Sequence, residues 1–269
     1  MPVDVTVTNP DSSQATLVGG FTYAPELWTP AEITTALWLD ADDSSTITTV
    51  SGAVSEWRDK SGNNRHVSQA DAINRPAVSA GGLNSKDVLS FDGSNDVLSF
   101  AGSAFDVKNF LIVYFYKQVG GEIPLGLADG TEGNSDYLGI PGGDPINLYL
   151  RLGGRSDIRT RSAVGNNSWN VFSARALSTG NILRVNGSVN AATNSVGTYA
   201  DTTYDRYFVG NRRQLNAYFS EGIAEIVALP TFDADIQDKA EGCLAHKWGL
   251  EEDLPAEHPY KSSPPTVTP

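Results

Sequence analysis

The stretch AEGCLAHKWGL, residues 240–250, sets the only cysteine of the chain three residues before one of its three histidines. A thiol and an imidazole one helical turn apart have the spacing of a nucleophile with its base, or of two metal ligands. The surrounding pattern points elsewhere. Ile236, Ala240, Cys243, Leu244 and Trp248 recur at the spacing of one apolar helix face, and His246 lies roughly 60° off that line at ~100° per residue. A reactive thiol needs an electropositive, partly exposed setting, and His66 and His258 stand at no ligand spacing to the pair. The pattern therefore predicts a helix that starts after Asp233 as N-cap and stops at Gly249, with Cys243 part of a plug closing an open end or edge of the core.

Carboxylates are the next chemistry-bearing groups. LDADDSS (Asp40, Asp42, Asp43) and FDGSNDVL (Asp92, Asn95, Asp96) place hard oxygen donors in loops, which makes Asp40, Asp42, Asp92 and Asp96 candidate calcium ligands. Neither stretch has the ligand spacing of an EF-hand, and Asp and Asn in such places also bond their own turn backbone. No other cofactor is suggested. Glu221 and Glu225 are four residues apart, roughly 13 Å along a strand, against the ~5–5.5 Å of a retaining glycosidase pair. Asp40 and Asp42 have alternating spacing, but they sit where a strand runs into a turn. The expectation is a protein without a catalytic centre.

The segment TTYDRYFVGNRRQLNAYF, residues 202–219, is basic and aromatic within an acidic chain. Aromatic faces and arginine forks hold sugars and protein partners alike. Tyr204, Arg206, Arg212, Arg213 and Tyr218 are the candidate ligand contacts, with Arg212 and Arg213 in a polar loop, while Tyr207 and Phe219 read as half-buried residues of a sheet edge. Sugar and protein stand as alternative partners.

The elements that must carry these groups read as strands. The 269 residues include 26 Gly and 14 Pro, with 40% hydrophobic content, enough for one large all-β core. ALWLDADD, AVSEWRDK, DVLSFDGSNDVLSF, INLYLRLG, WNVFSARAL, RYFVGN and GIAEIVALP are strand-like runs, and NILRVNGSVNAA holds an Asn-Gly hairpin signal. FLIVYFYKQV is the most continuously apolar run, as expected of a central strand covered on both faces. Roughly a dozen short strands and a single helix indicate a two-sheet sandwich. The net charge of −13 argues against a nucleic-acid partner, and no apolar stretch of about 18 residues is present to insert into a membrane. The opening MPVDVTVTNP has neither the basic nor the apolar region of a secretory signal. Export is then expected through a larger parent chain or with a virus particle.

Two resemblances follow from these motifs. VDVTVTNPDSSQATLVGGFTY alternates Val3, Val5 and Val7 with polar residues and resembles the last hairpin of an IPT/TIG immunoglobulin-like domain. LWLDADD, WRDKSGNNRHVSQ, LSFDGSNDVLSF, LRVNGS, GIAEIVALP and AEGCLAHKWGL with LPAEHPYK together resemble the concanavalin A-like lectin/glucanase superfamily, in its laminin-G-like branch of phage and bacterial surface proteins. The resemblance implies a jelly-roll sandwich that binds or builds more often than it catalyses, and the alternating acidic motif of the family's glucanases is absent. The resulting expectation is a hairpin arm over 1–25, a linker over 26–35, a sandwich over 36–261 and a Pro-rich tail over 262–269. It would serve as a lectin-like module on a virion (fibre, decoration or receptor-binding protein) or on a bacterial surface, in multiple copies, contacting glycans or neighbouring subunits, with a glycoside hydrolase as the distant alternative.

Overall fold

The computed structural model describes residues 2–22, 24–116, 122–128, 135–140, 149–152, 156–159, 167–177, 180–193, 203–211 and 217–267. Strands β1 (Pro2–Thr8) and β2 (Gln14–Thr22) form a hairpin. Then come β3 (Leu37–Asp40), β4 (Ile47–Val50), β5 (Ala53–Trp57), β6 (Val67–Ser68), β7 (Ala77–Leu83), β8 (Lys86–Ser90) and β9 (Leu98–Asp106). The chain continues through β10 (Asn109–Tyr116), β11 (Glu122–Ala128), β12 (Ser135–Ile140), β13 (Tyr149–Leu152), β14 (Ser156–Arg159) and β15 (Ser168–Leu177). It ends in β16 (Gly180–Val185), β17 (Ser188–Thr193), β18 (Thr203–Val209), β19 (Gly222–Leu229) and the helix α1 (Ala234–Trp248).

All pairings are antiparallel. One layer runs β17-β16-β15-β10-β19-β3. The other runs β14-β13-β12-β11-β18-β9-β6-β5-β4. Strands β8 and β7 join them along one side, β8 pairing with β19 and β7 with β5. The result is the all-β sandwich that the strand pattern predicts, with one α-helix among the described residues, near the C-terminus. The hairpin signal at Asn186-Gly187 is also realised: φ is +48° and +77° there, and Val185 pairs with Ser188 across the turn.

The continuous apolar run of β10 has a direct cause. Phe110, Ile112 and Tyr114 enter the core between the layers, with Trp57, Leu98, Phe172 and Tyr207. Leu111 and Val113 point the other way, into a second core formed with Ala240, Leu244, Ala245 and Trp248 of α1. The helix thus lies on the outer face of a sheet, which corrects the expectation of a plug at an end or edge: β10, β15 and β19 carry apolar residues on both faces and require a third layer. Asp233 caps the helix by accepting the Ile236 N–H at 3.0 Å, and Gly249 ends it at φ +67°.

The chain on either side of the sandwich is packed as well. Trp28 is 6% exposed and donates its N–H to the Pro265 carbonyl, Leu27 bridges to Thr266, and Val267 donates to Glu26. The hairpin differs. Its alternation predicts a half-buried face, yet Val3, Val5, Val7, Leu17 and Phe21 all stand exposed. No helix among the described residues is long and apolar enough to cross a membrane.

Candidate functional site

Strand β18 divides the basic-aromatic segment between two faces. Tyr207 and Val209 are buried in the inter-layer core, and Tyr207 donates its hydroxyl hydrogen to the Arg65 carbonyl. Burial holds that phenol well above its ordinary pKa of 10.0. Tyr204 joins the same core at 3% exposure. Its ring is closed to a ligand, which corrects its reading as a contact residue: a register shift between Tyr204 and Arg206 in the pairing with β9 lets both Tyr204 and Tyr207 turn inward. Phe219 is buried too, edge-on to Tyr114 at 5.7 Å.

Arg206 and Phe208 occupy the opposite face. Arg206 is flanked by Ala128 and Ala101 on the neighbouring strands, and Phe208 by Gly126 and Ser99. Ala101, Gly102, Ser103 and Ala104 of β9 are exposed. The β9 side of Arg206 is thus an open surface of small residues, while Ala128 and Gly126 on the β11 side are buried. The Arg206 side chain is 42% exposed, with one carboxylate oxygen of Asp205 at 3.5 Å. Tyr218 is partly buried. Arg212 and Arg213 lie outside the described residues. Phe208 was missed in the sequence reading, and strict alternation with Tyr207 was the signal that pointed to it.

The acidic loops resolve into two kinds. Asp40 is held by cations: Lys247 Nζ lies 2.6 Å from Oδ1 and Lys60 Nζ 2.9 Å from Oδ2. Asp42 pairs with Lys86 at 2.9 Å and accepts the Asp87 N–H at 3.2 Å. These contacts outweigh its burial and lower its pKa below 3.8. The positive charge at both is therefore a lysine. Asp92 accepts the backbone N–H groups of Ser94, Asn95 and Asp96, the geometry of a turn former. Asp96 accepts the Asp92 N–H at 2.9 Å, and burial, then the charge of Asp92, pushes its pKa up to about 6.

A cluster that the sequence reading did not assemble lies beneath α1. Glu225 is 1% exposed. In the pairing of β19 with β10, Val113 faces Glu225 while Tyr114 faces Ile223, so Ala224 is the extra residue of a bulge. The bulge aims Glu225 toward the helix, where it accepts from Lys247 Nζ at 2.6 Å, Trp248 Nε1 at 2.8 Å and Trp38 Nε1 at 2.7 Å. Burial raises its pKa against the pull of Lys247. Lys247 is itself raised: burial works against its charge, but Glu225 and Asp40 outweigh it. Cys243, beside this cluster, is pushed up to about 12 by burial and then by Glu225, so it remains a thiol rather than a nucleophile. His246 Nε2 lies 2.8 Å from the Tyr260 carbonyl, fastened to the backbone instead of to the thiol.

Asp238, Glu241 and His258 come close enough to share a cation. Arg184 fills that role, 2.8 Å from Asp238 and 2.9 Å from Glu241. His258 Nδ1 accepts the Tyr260 N–H at 3.2 Å, and its Nε2 lies 3.4 Å from Glu241 Oε2. The group is a salt-bridge network built on Arg184.

Fold and site together define a class: a two-layer antiparallel sandwich with a helix on one outer face and an arginine and an aromatic ring on the other. Among solved structures the chain is similar to the Trypanosoma rangeli sialidase in complex with sialic acid, at 12% identity and a TM-score of 0.51, over 80% of this chain and 34% of that one. It is also similar to domain 4 of a GH43 extracellular arabinanase from Geobacillus stearothermophilus in complex with arabinotriose, at 11% identity and a TM-score of 0.50, over 73% of this chain and 94% of that domain. A third is the botulinum neurotoxin serotype D binding domain, at 13% identity and a TM-score of 0.50, over 78% and 51%. The chain spans about a third of the sialidase and nearly all of the arabinanase domain. No protein-family model and no curated protein matches it in sequence. The likeness is one of fold, compatible with the concanavalin A-like sandwich that the sequence motifs resemble.

Proposed function

We propose that the chain is a non-catalytic, lectin-like module of an extracellular assembly, and that it holds glycans on the outer face of its second layer. The observation that carries this is the pair Arg206 and Phe208 beside the exposed small residues of β9. An aromatic ring and a guanidinium beside an open surface suit a sugar ring, which needs one apolar face and fixed donors. The arabinanase domain, similar over nearly its whole length, adds a fold that holds a trisaccharide. Binding without turnover is favoured by the state of Glu225 and Asp40, both enclosed beneath the helix and held by lysine. The setting favoured by the sequence motifs is a virion fibre, decoration or receptor-binding protein, with a bacterial surface adhesin as the alternative.

The test is a glycan array probed with a multimerised form, because single weak sites become measurable only through avidity. Released sugars are measured in parallel. Saturable glycan binding without hydrolysis supports the reading, and sugar release overturns it.

A second role is favoured by the hairpin. Val3, Val5, Val7, Leu17 and Phe21 present exposed apolar side chains, and an isolated two-stranded hairpin is marginally stable at best in water. We take it as the arm that attaches the module to a neighbouring subunit, with the IPT/TIG-like pattern pointing to another β-layer as its cover. Sedimentation with and without residues 1–24 tests this. Loss of an assembled species on truncation is expected, and an identical monomer in both cases would sink it.

A further inference from the structure

On the helix side of the sandwich, opposite Arg206, a pocket of about 420 Å³ opens between α1, the segment before β3 and the C-terminal tail. This is within the range of small-molecule sites, about 300–1,000 Å³. Leu27, Trp28 and Pro264 form apolar walls, and Cys243 of the helix completes the lining on that side. The walls are tied by backbone bonds, Trp28 N–H to the Pro265 carbonyl at 3.0 Å and the Leu27–Thr266 bridge, so their spacing is fixed before any ligand enters. Lys86 and Lys247 are the charged residues of the lining, and no carboxylate is among it.

The two ammonium groups are positioned from behind. Asp42 holds Lys86 at 2.9 Å, while Asp40 and Glu225 hold Lys247, each at 2.6 Å. An ammonium has three donors. One hydrogen bond from Lys86 and two from Lys247 leave unused donors on both ammonium groups. Apolar walls beside ammonium donors suit a ligand with an apolar body and an acceptor head.

We propose that this pocket binds a small amphiphilic carboxylate, its apolar body against Leu27, Trp28 and Pro264 and its head on Lys86 and Lys247. The site is separate from the glycan face, so it stands or falls independently of the lectin reading.

The probe is decanoate below its micelle concentration, titrated into the full chain by calorimetry beside decanol and decyltrimethylammonium. Saturable 1:1 binding of decanoate is expected, about tenfold or more tighter than decanol, as a charge-assisted contact of ~1.5–3 kcal/mol implies. The quaternary ammonium is expected not to bind. Lys86→Met should weaken decanoate about tenfold and leave decanol unchanged, with the melting curve preserved because the Lys86–Asp42 pair is partly exposed. Lys247 is unsuitable as the test variant because the fold depends on it. Bound decanoate should also slow alkylation of Cys243. Equal affinity for the three probes, absence of saturable decanoate binding, or an unchanged Lys86→Met variant would each overturn the proposal.

Discussion

Glu225 and Lys247 meet at 2.6 Å beneath the helix, and that contact joins β19 of the sandwich to the last turn of α1. With its carboxylate enclosed, Glu225 needs Lys247 and two indole donors to remain there. Lys247→Met should therefore cost about 3–5 kcal/mol, since it strands a buried carboxylate. Glu225→Gln added to it should recover part of the loss, because it removes the stranded charge, although the amide oxygen can replace only one of the two oxygens that accept from Trp38 and Trp248. Urea denaturation of the single and double variants measures both. A single variant as stable as the parent would remove the pair from the account of helix docking.

Trp248 is fully buried between α1 and the outer face of the first layer. Trp248→Ala should cost about 3–5 kcal/mol through lost packing and a cavity. Cys243, with its pKa pushed up to about 12, should react with iodoacetamide at pH 8 far more slowly in the native protein than in urea. Rapid native alkylation would contradict the enclosed thiol.

Asp96 gives the clearest pH dependence. Its folded pKa of about 6 lies above the ordinary 3.8, so the folded state holds the proton more tightly than the unfolded chain. The stability it contributes is complete below about pH 4 and is lost as pH rises through about 6. Asp96→Asn keeps an acceptor for the Asp92 N–H and removes the titration. The variant should melt higher than the parent at pH 7, and the difference should shrink as pH falls toward 4. Parallel melting curves across that range would exclude Asp96 as the source.

Much of the fold was legible in the sequence because its signals are local. Asp233, Gly249 and Asn186-Gly187 each do at a single position what a cap or a turn demands. The unbroken apolar run of β10 announced two buried faces, although the helix was expected at an edge, because no local signal says which surface a helix covers. The site was harder to read for the same reason. Lys60, Lys86 and Lys247 are far apart in sequence and meet Asp40, Asp42, Asp43 and Glu225 only through the tertiary fold. One clue was present: Glu225 is the only charged residue within the apolar strand GIAEIVAL, and such a residue needs a buried partner. Tyr204 was misread because an alternating pattern cannot show a register shift.

Calcium should have little effect on stability. Asp40 and Asp42 are paired with lysine, and Asp92 is committed to three backbone N–H groups. Binding calcium there would displace ammonium groups or open the turn. Melting temperatures in EDTA and in millimolar calcium are expected to coincide. A rise with calcium would show a site by linkage, and Asp96 beside Asp92 would be the place to look.

Arg206 and Phe208 provide the last prediction, and the one nearest to function. Both project from β18 away from the core, beside the exposed small residues of β9, so truncating either removes contact area while leaving the inter-layer packing intact. Arg206→Ala should shift the unfolding free energy by no more than about 0.5 kcal/mol, as for exposed positions without a buried partner. Phe208→Ala should cost somewhat more, because its ring is partly buried. In a glycan-binding assay on the multimerised protein the order should reverse relative to core variants. Arg206→Ala and Phe208→Ala should each lower binding about tenfold, the loss of ~1.4 kcal/mol at a contact residue. The core variant Tyr207→Phe should leave binding unchanged, even though it loses the hydroxyl bond to the Arg65 carbonyl. If the outer-face variants bind like the parent while Tyr207→Phe loses binding, recognition does not take place on this face.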